Sequence, residues 1–489
     1  MGKEEDSVSS FSDFHPSSAL KFTKEAWVKQ YEGKLLLRQE INLPEPTFKH
    51  YVNLQYFQAV PSITKTFPSR QCVRCFNRDE KYFASINCKR CHSTHVYCRH
   101  CIEMGRILDC EPLYAWKGPV YEWLTHESPC SWQGSLTKLQ QRAAQNIACS
   151  ITKQRKLLVW AVTGSGKTEM LFPGIQQALQ KGKRVCIASP RADVVRELVP
   201  RIQAAFPHVS VQGLYAGSRD KSGTAQLIIA TTHQLYRYHN AFDVMIIDEI
   251  DAFPYHSDFT LKKAAERAGR RRKRAVIYLT ATPREKQKWQ MLSGNLPYTF
   301  VPTRYHGAPL VIPQWMMQSS ISKKFSHKIM PAKVEQWFLK RTPTRQVLVF
   351  IPTLFLLSTC FSVFKSFLLK ENILTSKSQI AQVHAQDVNR EEKVAAFRRR
   401  EISVLLTTTI LERGVTFPSI DVLIIDSGHP VFDEAALTQI AGRVGRSASD
   451  PKGEVIFFYQ VKTKAMKRTN QSIREMNQLQ KQLAQKGEM

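Results

Sequence analysis

Acidic residues are scarce in this chain. Its 489 residues include 41 Asp and Glu against 70 Lys and Arg, a net charge of +29 with a pI near 9.7. That imbalance points to a polyanionic partner, a nucleic acid or an acidic membrane surface, without choosing between them. An apolar leader is missing too. The opening MGKEEDSVSS is acidic and polar, so we expect no secretory signal. Asp6 stands where a myristoylation signal wants Ser or Thr. Long uninterrupted hydrophobic runs are absent with one near-exception, uncharged from Val347 to Phe364, and Pro352-Thr353 divides it. We read it as a buried parallel strand, Val347–Ile351, followed by a core-facing helix, Leu354–Leu369, and not as a membrane span. Without an export signal, the 11 cysteines are read as metal ligands before disulfides.

What the chain does contain is organised around AVTGSGKT, Ala161 to Thr168, which follows the apolar run Leu157–Trp160. The spacing predicts a strand, a glycine-bearing turn and a helix opening at Lys167, the phosphate-binding loop. Gly164 and Gly166 let backbone N–H groups close around phosphate oxygens, with Thr163 and Ser165 in the same loop. The new helix adds its positive end. Lys167 can reach the β- and γ-phosphates of a nucleotide, and Thr168 can offer its hydroxyl to Mg²⁺. Upstream, Gln140 could donate to and accept from an adenine edge.

After the loop helix come apolar β-like runs at Val185–Ser189, Val211–Tyr215, Leu227–Thr231, Val244–Asp248 and Ala275–Thr280. Alternation with helices predicts a parallel sheet covered on both faces. The fourth run ends in Asp248-Glu249-Ile250-Asp251, at the sheet edge where ligands bind. Asp248 suits Mg²⁺ and Glu249 suits orienting or deprotonating an attacking water. The next run ends in Thr280-Ala281-Thr282, whose hydroxyls could bridge the acidic motif to a neighbouring domain. The basic stretch from Arg267 to Arg274 reads as a solvated loop that could touch a phosphate backbone.

A second strand–helix series begins near Val347, with strands expected at Val347–Ile351, Gln382–Ala385, Val404–Thr408, Val422–Asp426 and Val455–Tyr459. It lacks a phosphate loop but carries Leu411-Glu412-Arg413-Gly414-Val415 and then Gln439-Ile440-Ala441-Gly442-Arg443-Val444-Gly445-Arg446. Arg443 and Arg446, three apart on a helix, share one face. Opposite a bound nucleotide they would stabilise charge on the transferring phosphoryl group. Gly442 and Gly445 allow close approach to another surface.

Before the first series, cysteines fall as Cys72-x-x-Cys75, Cys88-x-x-Cys91 and Cys98-x-x-Cys101. Two such pairs close a tetrahedral Zn²⁺ site. One zinc could use any two pairs, and two zincs would recruit Cys110 or a His such as His92, His95 or His100. Arg70, Arg74, Arg78, Lys81, Lys89, Arg90 and Arg99 surround the pairs. With Tyr82, Phe83 and Tyr97 interleaved, they would suit single-stranded nucleic acid, or simply form a basic surface over core aromatics.

These motifs, in this order, resemble those of superfamily 2 helicases and translocases, over about Gln133 to Tyr459. AVTGSGKT, DEID, TAT, LERGV and QIAGRVGR match the family's motifs I, II, III, V and VI. Ser189-Pro190-Arg191 and Ala230-Thr231-Thr232 look like motifs Ia and Ib, which in the family lie along the nucleic-acid strand. YCRHCIEMGR, fused to such a motor, resembles the ComFA family of late-competence DNA-uptake ATPases, itself similar to the primosomal helicase PriA. The resemblance implies an α/β fold with two RecA-like parallel-sheet domains preceded by a small Cys-rich zinc-binding module. Its expected divisions are a leader at 1–65, the zinc module at 66–132, RecA-like domains at 133–305 and 306–470, and a polar helical tail at 471–489. It implies ATP, Mg²⁺ and Zn²⁺ as cofactors, with Glu412 and Gly414 beside the nucleotide. The implied setting is cytoplasmic, peripheral at the inner face of the membrane and without a transmembrane helix. The implied partners are single-stranded DNA, the DNA-uptake membrane channel protein and a ComFC-like partner protein. A duplex-unwinding PriA-like helicase and a non-catalytic zinc scaffold are the alternative readings.

Overall fold

The computed structural model describes residues 24–66, 69–270, 274–341, 344–411 and 417–487. Two parallel sheets dominate it. The first runs, edge to edge, Val211–Leu214, Leu227–Thr231, Val185–Ser189, Val244–Ile247, Ala275–Thr280, Lys156–Ala161 and Tyr298–Val301. The second runs Gln314–Met317, Val455–Tyr459, Ile420–Ile424, Gln346–Phe350, Val404–Thr407 and Ile380–Val383. Every neighbouring pair in both is parallel.

The continuous apolar runs are explained by burial on both faces. In the first sheet Ile187, Ile229, Ile246 and Ile277 face one core, while Cys186, Ile228, Met245 and Val276 face the other. Two strands have no counterpart in the expected set, Tyr298–Val301 and Gln314–Met317. Both are short edge strands with exposed positions, so neither leaves a buried apolar run to read. Two expected strands are displaced by two residues, Ile420–Ile424 for Val422–Asp426 and Ile380–Val383 for Gln382–Ala385. After the second of them the chain turns at His384, whose carbonyl accepts from Asp387 N–H at 3.1 Å. The run after Val347 divides as expected, into the strand Gln346–Phe350 and the helix Leu354–Lys370, which Thr353 caps. Among the described residues no helix is long and apolar enough to cross a membrane.

The N-terminal residues and the cysteines share structure. Leu113–Trp116 lies antiparallel between Leu35–Leu37 and Phe57–Val60, so strands from both sides of position 65 form one sheet. Cys72, Cys75, Cys98 and Cys101 belong to the same core as Leu158, Met245 and Tyr236 of the first lobe. Arg267 fastens them there. Its guanidinium donates to the carbonyls of Val73 (2.7 Å), Arg74 (2.8 Å) and Tyr236 (2.7 Å) and lies over the Phe76 ring. Burial pushes it below the ordinary arginine range, to about 10. The solvated-loop reading therefore fails for Arg267. It fails also for Arg270, paired with Glu32 at 3.0 Å and Asp243 at 3.1 Å, whereas half-buried Arg274 donates to the nearby Glu266 carbonyl at 2.9 Å. Arg271, Arg272 and Lys273 lie outside the described residues. Arg74 is also removed from any DNA surface. It is fully buried and donates to both Glu40 oxygens, at 2.7 and 2.9 Å.

The polar C-terminal segment is part of one helix, Lys464–Gln485. It is stapled along the connection between the lobes. Asn477 accepts from Leu310 N–H (2.8 Å) and donates to the Leu310 carbonyl (2.9 Å), and Asn470 donates to Pro313 (3.1 Å).

Candidate nucleotide cleft and cysteine centre

The strand Lys156–Ala161 delivers the glycine loop to the carboxyl edge of the first sheet. Gly164 and Gly166 hold φ of +79° and +73°, and Gly166 is the left-handed N-cap of the helix Lys167–Gln180. A Cβ on Gly166 would meet Gln140 Nε2 at 2.5 Å, so both conformation and space require glycine. Gln140 is engaged at both ends of its carboxamide. Nε2 donates to the Ser165 carbonyl (2.9 Å) and Oε1 accepts from Thr137 N–H (2.7 Å). It braces the helix Lys138–Thr152 against the loop while lining the cleft above it.

A cleft of about 700 Å³ opens over the loop. Thr163 to Thr168, Gln140, Asp248 and Glu249 line it from the first lobe, and Gln439 and Arg446 from the second. Trp132, Leu136 and Tyr305 add apolar and aromatic wall. Burial and the neighbouring Glu249 charge push the Asp248 carboxyl up to about 7, against the pull of Lys167. A divalent cation beside Asp248 and Thr168 would relieve that excess of buried negative charge, so the residues fit Mg²⁺. Glu249 holds φ of +54°, a left-handed position that a non-glycine residue occupies at a cost of about 1–2 kcal/mol. Such strain clusters where a side chain must be aimed.

Behind the acidic pair, Thr280 and Thr282 each donate to Asp251, at 2.7 Å, to its two oxygens. Arg284 then donates to the Asp251 carbonyl (3.2 Å) and to Asp433 Oδ2 (3.0 Å). Asp433 caps the helix Glu434–Ala441 that leads into the second lobe's arginines. The TAT hydroxyls thus meet the acidic motif itself, and Arg284 makes the step to the other lobe.

The second lobe approaches closely. A Cβ on Gly442 would lie 2.0 Å from Thr163 Oγ1. Arg446 lines the cleft and donates to the Gly442 carbonyl (3.0 Å). Arg443 is 1% exposed and does not line it. The expectation that the two arginines share a helix face fails, because the helix ends at Ala441 and both lie in the turn after its Gly442 cap. Arg191 of the motif Ia stretch donates across the lobes to the Thr409 and Ile410 carbonyls, 3.2 Å each. Glu412, Arg413 and Gly414 lie outside the described residues. Sequence reading missed Arg304. It is 1% exposed, passes beside Gly164 and donates to the carbonyls of Gly445 and, at 3.5 Å, Gly442. Burial lowers it to about 10. No spacing marks it, because it sits just past an edge strand that was itself not legible.

The three cysteine pairs do not pool. Cys72, Cys75, Cys98 and Cys101 are buried with sulfur atoms all within 4.8 Å of one another, 3.8 Å for Cys72–Cys101 and 3.7 Å for Cys75–Cys98. Four buried sulfurs so placed fit a tetrahedral Zn²⁺. Cys88 and Cys91 stand apart from them. Backbone N–H groups of Cys91 and Arg90 bond the Cys88 sulfur and hold its thiol below the ordinary range, at about 7.

Two parallel-sheet lobes meeting over a phosphate loop, an acidic pair and an arginine-bearing turn define an ATPase of the superfamily 2 helicase type. Residues 133–285 match the type III restriction enzyme res subunit and residues 330–448 the helicase conserved C-terminal domain. Among solved structures, yeast Dbp5 bound to RNA and ADP BeF3 is similar in fold, at 17% identity and TM-score 0.52, over 70% of this chain and 88% of that one. Residues 21–115 match the competence protein ComFA N-terminal domain. The chain is 40% identical to competence protein ComFA of Bacillus subtilis strain 168, over 91% of this chain and 93% of that protein. It is 32% identical to the Streptococcus pneumoniae R6 protein of the same name, over 87% and 98%. The chain belongs to the ComFA family.

Proposed function

We propose that this chain is a single-stranded-DNA-stimulated ATPase that translocates the strand and drives transforming DNA across the cytoplasmic membrane. The observation that carries the reading is the shared cleft, in which Lys167, Asp248 and Glu249 of one lobe face Arg446 of the other. ATP binds with its phosphates in the loop, and Lys167 takes the β- and γ-oxygens. Thr168 and Asp248 would hold Mg²⁺, which would supply charge neutralisation at the phosphates. Glu249 orients and deprotonates water. Arg446 meets the γ-phosphoryl group as charge spreads over it, and buried Arg443 supports the same turn. DNA favours lobe closure and hydrolysis reopens the cleft, moving backbone contacts along the strand.

The cysteines Cys72, Cys75, Cys98 and Cys101 hold a structural Zn²⁺ that joins the N-terminal sheet to the first lobe. Family membership supports a peripheral position at the inner membrane face, beside the uptake channel protein and a ComFC-like partner. The test is ATP turnover titrated with single-stranded DNA, duplex DNA and RNA. Stimulation by single-stranded DNA, falling steeply with salt, is expected. A rate indifferent to DNA at low salt removes the motor reading, and strand displacement on forked DNA would replace translocation with unwinding.

A further inference from the structure

The four buried cysteines complete a tetrahedral ligand set by themselves, which leaves Cys88 and Cys91 over. The sheet Phe83–Asn87, Thr94–Cys98, Ile107–Leu108 explains why. Cys98 leaves one end of it for the buried cluster. The Cys88–Cys91 turn closes the opposite end, and Cys110 follows the third strand to that same end. At about 3.3 Å per residue, strands of this length hold the two ends about 13–17 Å apart, so neither cluster can borrow from the other.

The sulfurs of Cys88, Cys91 and Cys110 lie within 4.8 Å of one another, Cys88 and Cys110 at 3.9 Å. His95, Asp109 and Cys110 form a second group of that span, which meets the first at Cys110 and does not include Cys88 or Cys91. Backbone geometry strengthens the case beyond proximity. In the buried cluster's turn, Cys72 N–H donates to Asn77 (3.0 Å), Phe76 N–H donates to Cys72 (2.8 Å), and Phe76 holds φ of +64°. In the outer turn, Cys88 N–H donates to Ser93 (2.9 Å), His92 N–H donates to Cys88 (2.9 Å), and His92 holds φ of +52°. The offsets are the same, and so is the left-handed non-glycine residue after the second cysteine. One backbone device for aiming two sulfurs at an ion is used twice. An Arg90–Glu111 ion pair at 3.0 Å ties the outer turn to the residue after Cys110.

We propose that Cys88, Cys91, Cys110 and His95 form a second, solvent-facing Zn²⁺ site, with Asp109 as the positioning residue for His95. The Asp109 carboxylate accepts from His95 Nδ1 at 2.7 Å, which leaves Nε2 as the imidazole's donor to metal. Three thiolates and a neutral imidazole leave one net negative charge around Zn²⁺, next to Lys89 and Arg90. Binding releases three thiol protons to the buffer. This site stands independently of the motor reading.

The test is zinc content of the full-length chain by mass spectrometry. Two ions per chain are expected, falling to one in the double variant Cys88→Ser/Cys91→Ser. Asp109→Ala should keep the stoichiometry but surrender one of its two zincs to a chelator about 10–100-fold more readily. That second variant alters no ligand, so it stands if the cysteine variant fails to fold. One zinc in the unaltered chain overturns the proposal, as do two in the double variant. So does a disulfide among Cys88, Cys91 and Cys110, seen as fewer than 11 reactive thiols after unfolding with chelator.

Discussion

The two lobes share a plan and divide the chemistry. In each, buried parallel strands deliver their ends to one edge, and helices cover both faces. The first lobe places phosphate-binding and acidic groups at those strand ends. The second places its functional groups on a helix, Glu434–Ala441, and the turn after it. The difference teaches that neither lobe holds a complete site. The first lines the cleft with its phosphate loop and acidic pair, and the second brings Arg446 to it where Gly442 sits against Thr163. Under the proposed mechanism, turnover is tied to the distance between lobes, which is what a motor requires.

This division can be broken from either side. Lys167→Ala should take DNA-stimulated ATP turnover to background, and near-normal rates would show that the loop is not catalytic. Arg446→Ala should leave nucleotide binding to the first lobe nearly intact while lowering turnover about 10³-fold, the scale of an arginine finger. Equal losses in affinity and rate would instead make it a binding residue. Gly442→Ala puts a methyl group 2.0 Å from Thr163 Oγ1. It should cost about 1–3 kcal/mol, read as a lowered melting temperature, and depress turnover with both catalytic groups present. Arg284→Ala removes the bridge from Asp251 to Asp433. The pair is half-exposed, so stability should change by less than about 1 kcal/mol, while stimulation by DNA falls several-fold. The smallest effect on turnover is expected for Asn477→Ala, which loses the two bonds to Leu310 and should lower the melting temperature by the equivalent of about 1–2 kcal/mol.

The cysteines make a second contrast. Spacing alone identified paired metal-ligand turns but left every pairing open. The sheet between them shows which pairs come together, because strand direction sends Cys98 and the Cys88–Cys91 turn to opposite ends. The basic stretch shows the limit in reverse. Arg267 looked like solvent-facing charge, yet carbonyls of Val73 and Arg74, distant in the chain, enclose it.

The alternation of the buried inner strands with helices, the phosphate loop and the acidic pair were written in the sequence. They depend on local facts: runs of buried apolar residues, glycines at φ above zero, and carboxylates at a strand's end. Tertiary structure alone decided that Gln140 braces the loop, that Arg304 joins the lobes, that Arg446 and not Arg443 lines the cleft, and which cysteines meet. Each of those depends on groups brought together from far along the chain, and only the packed sheets fix the distances between them.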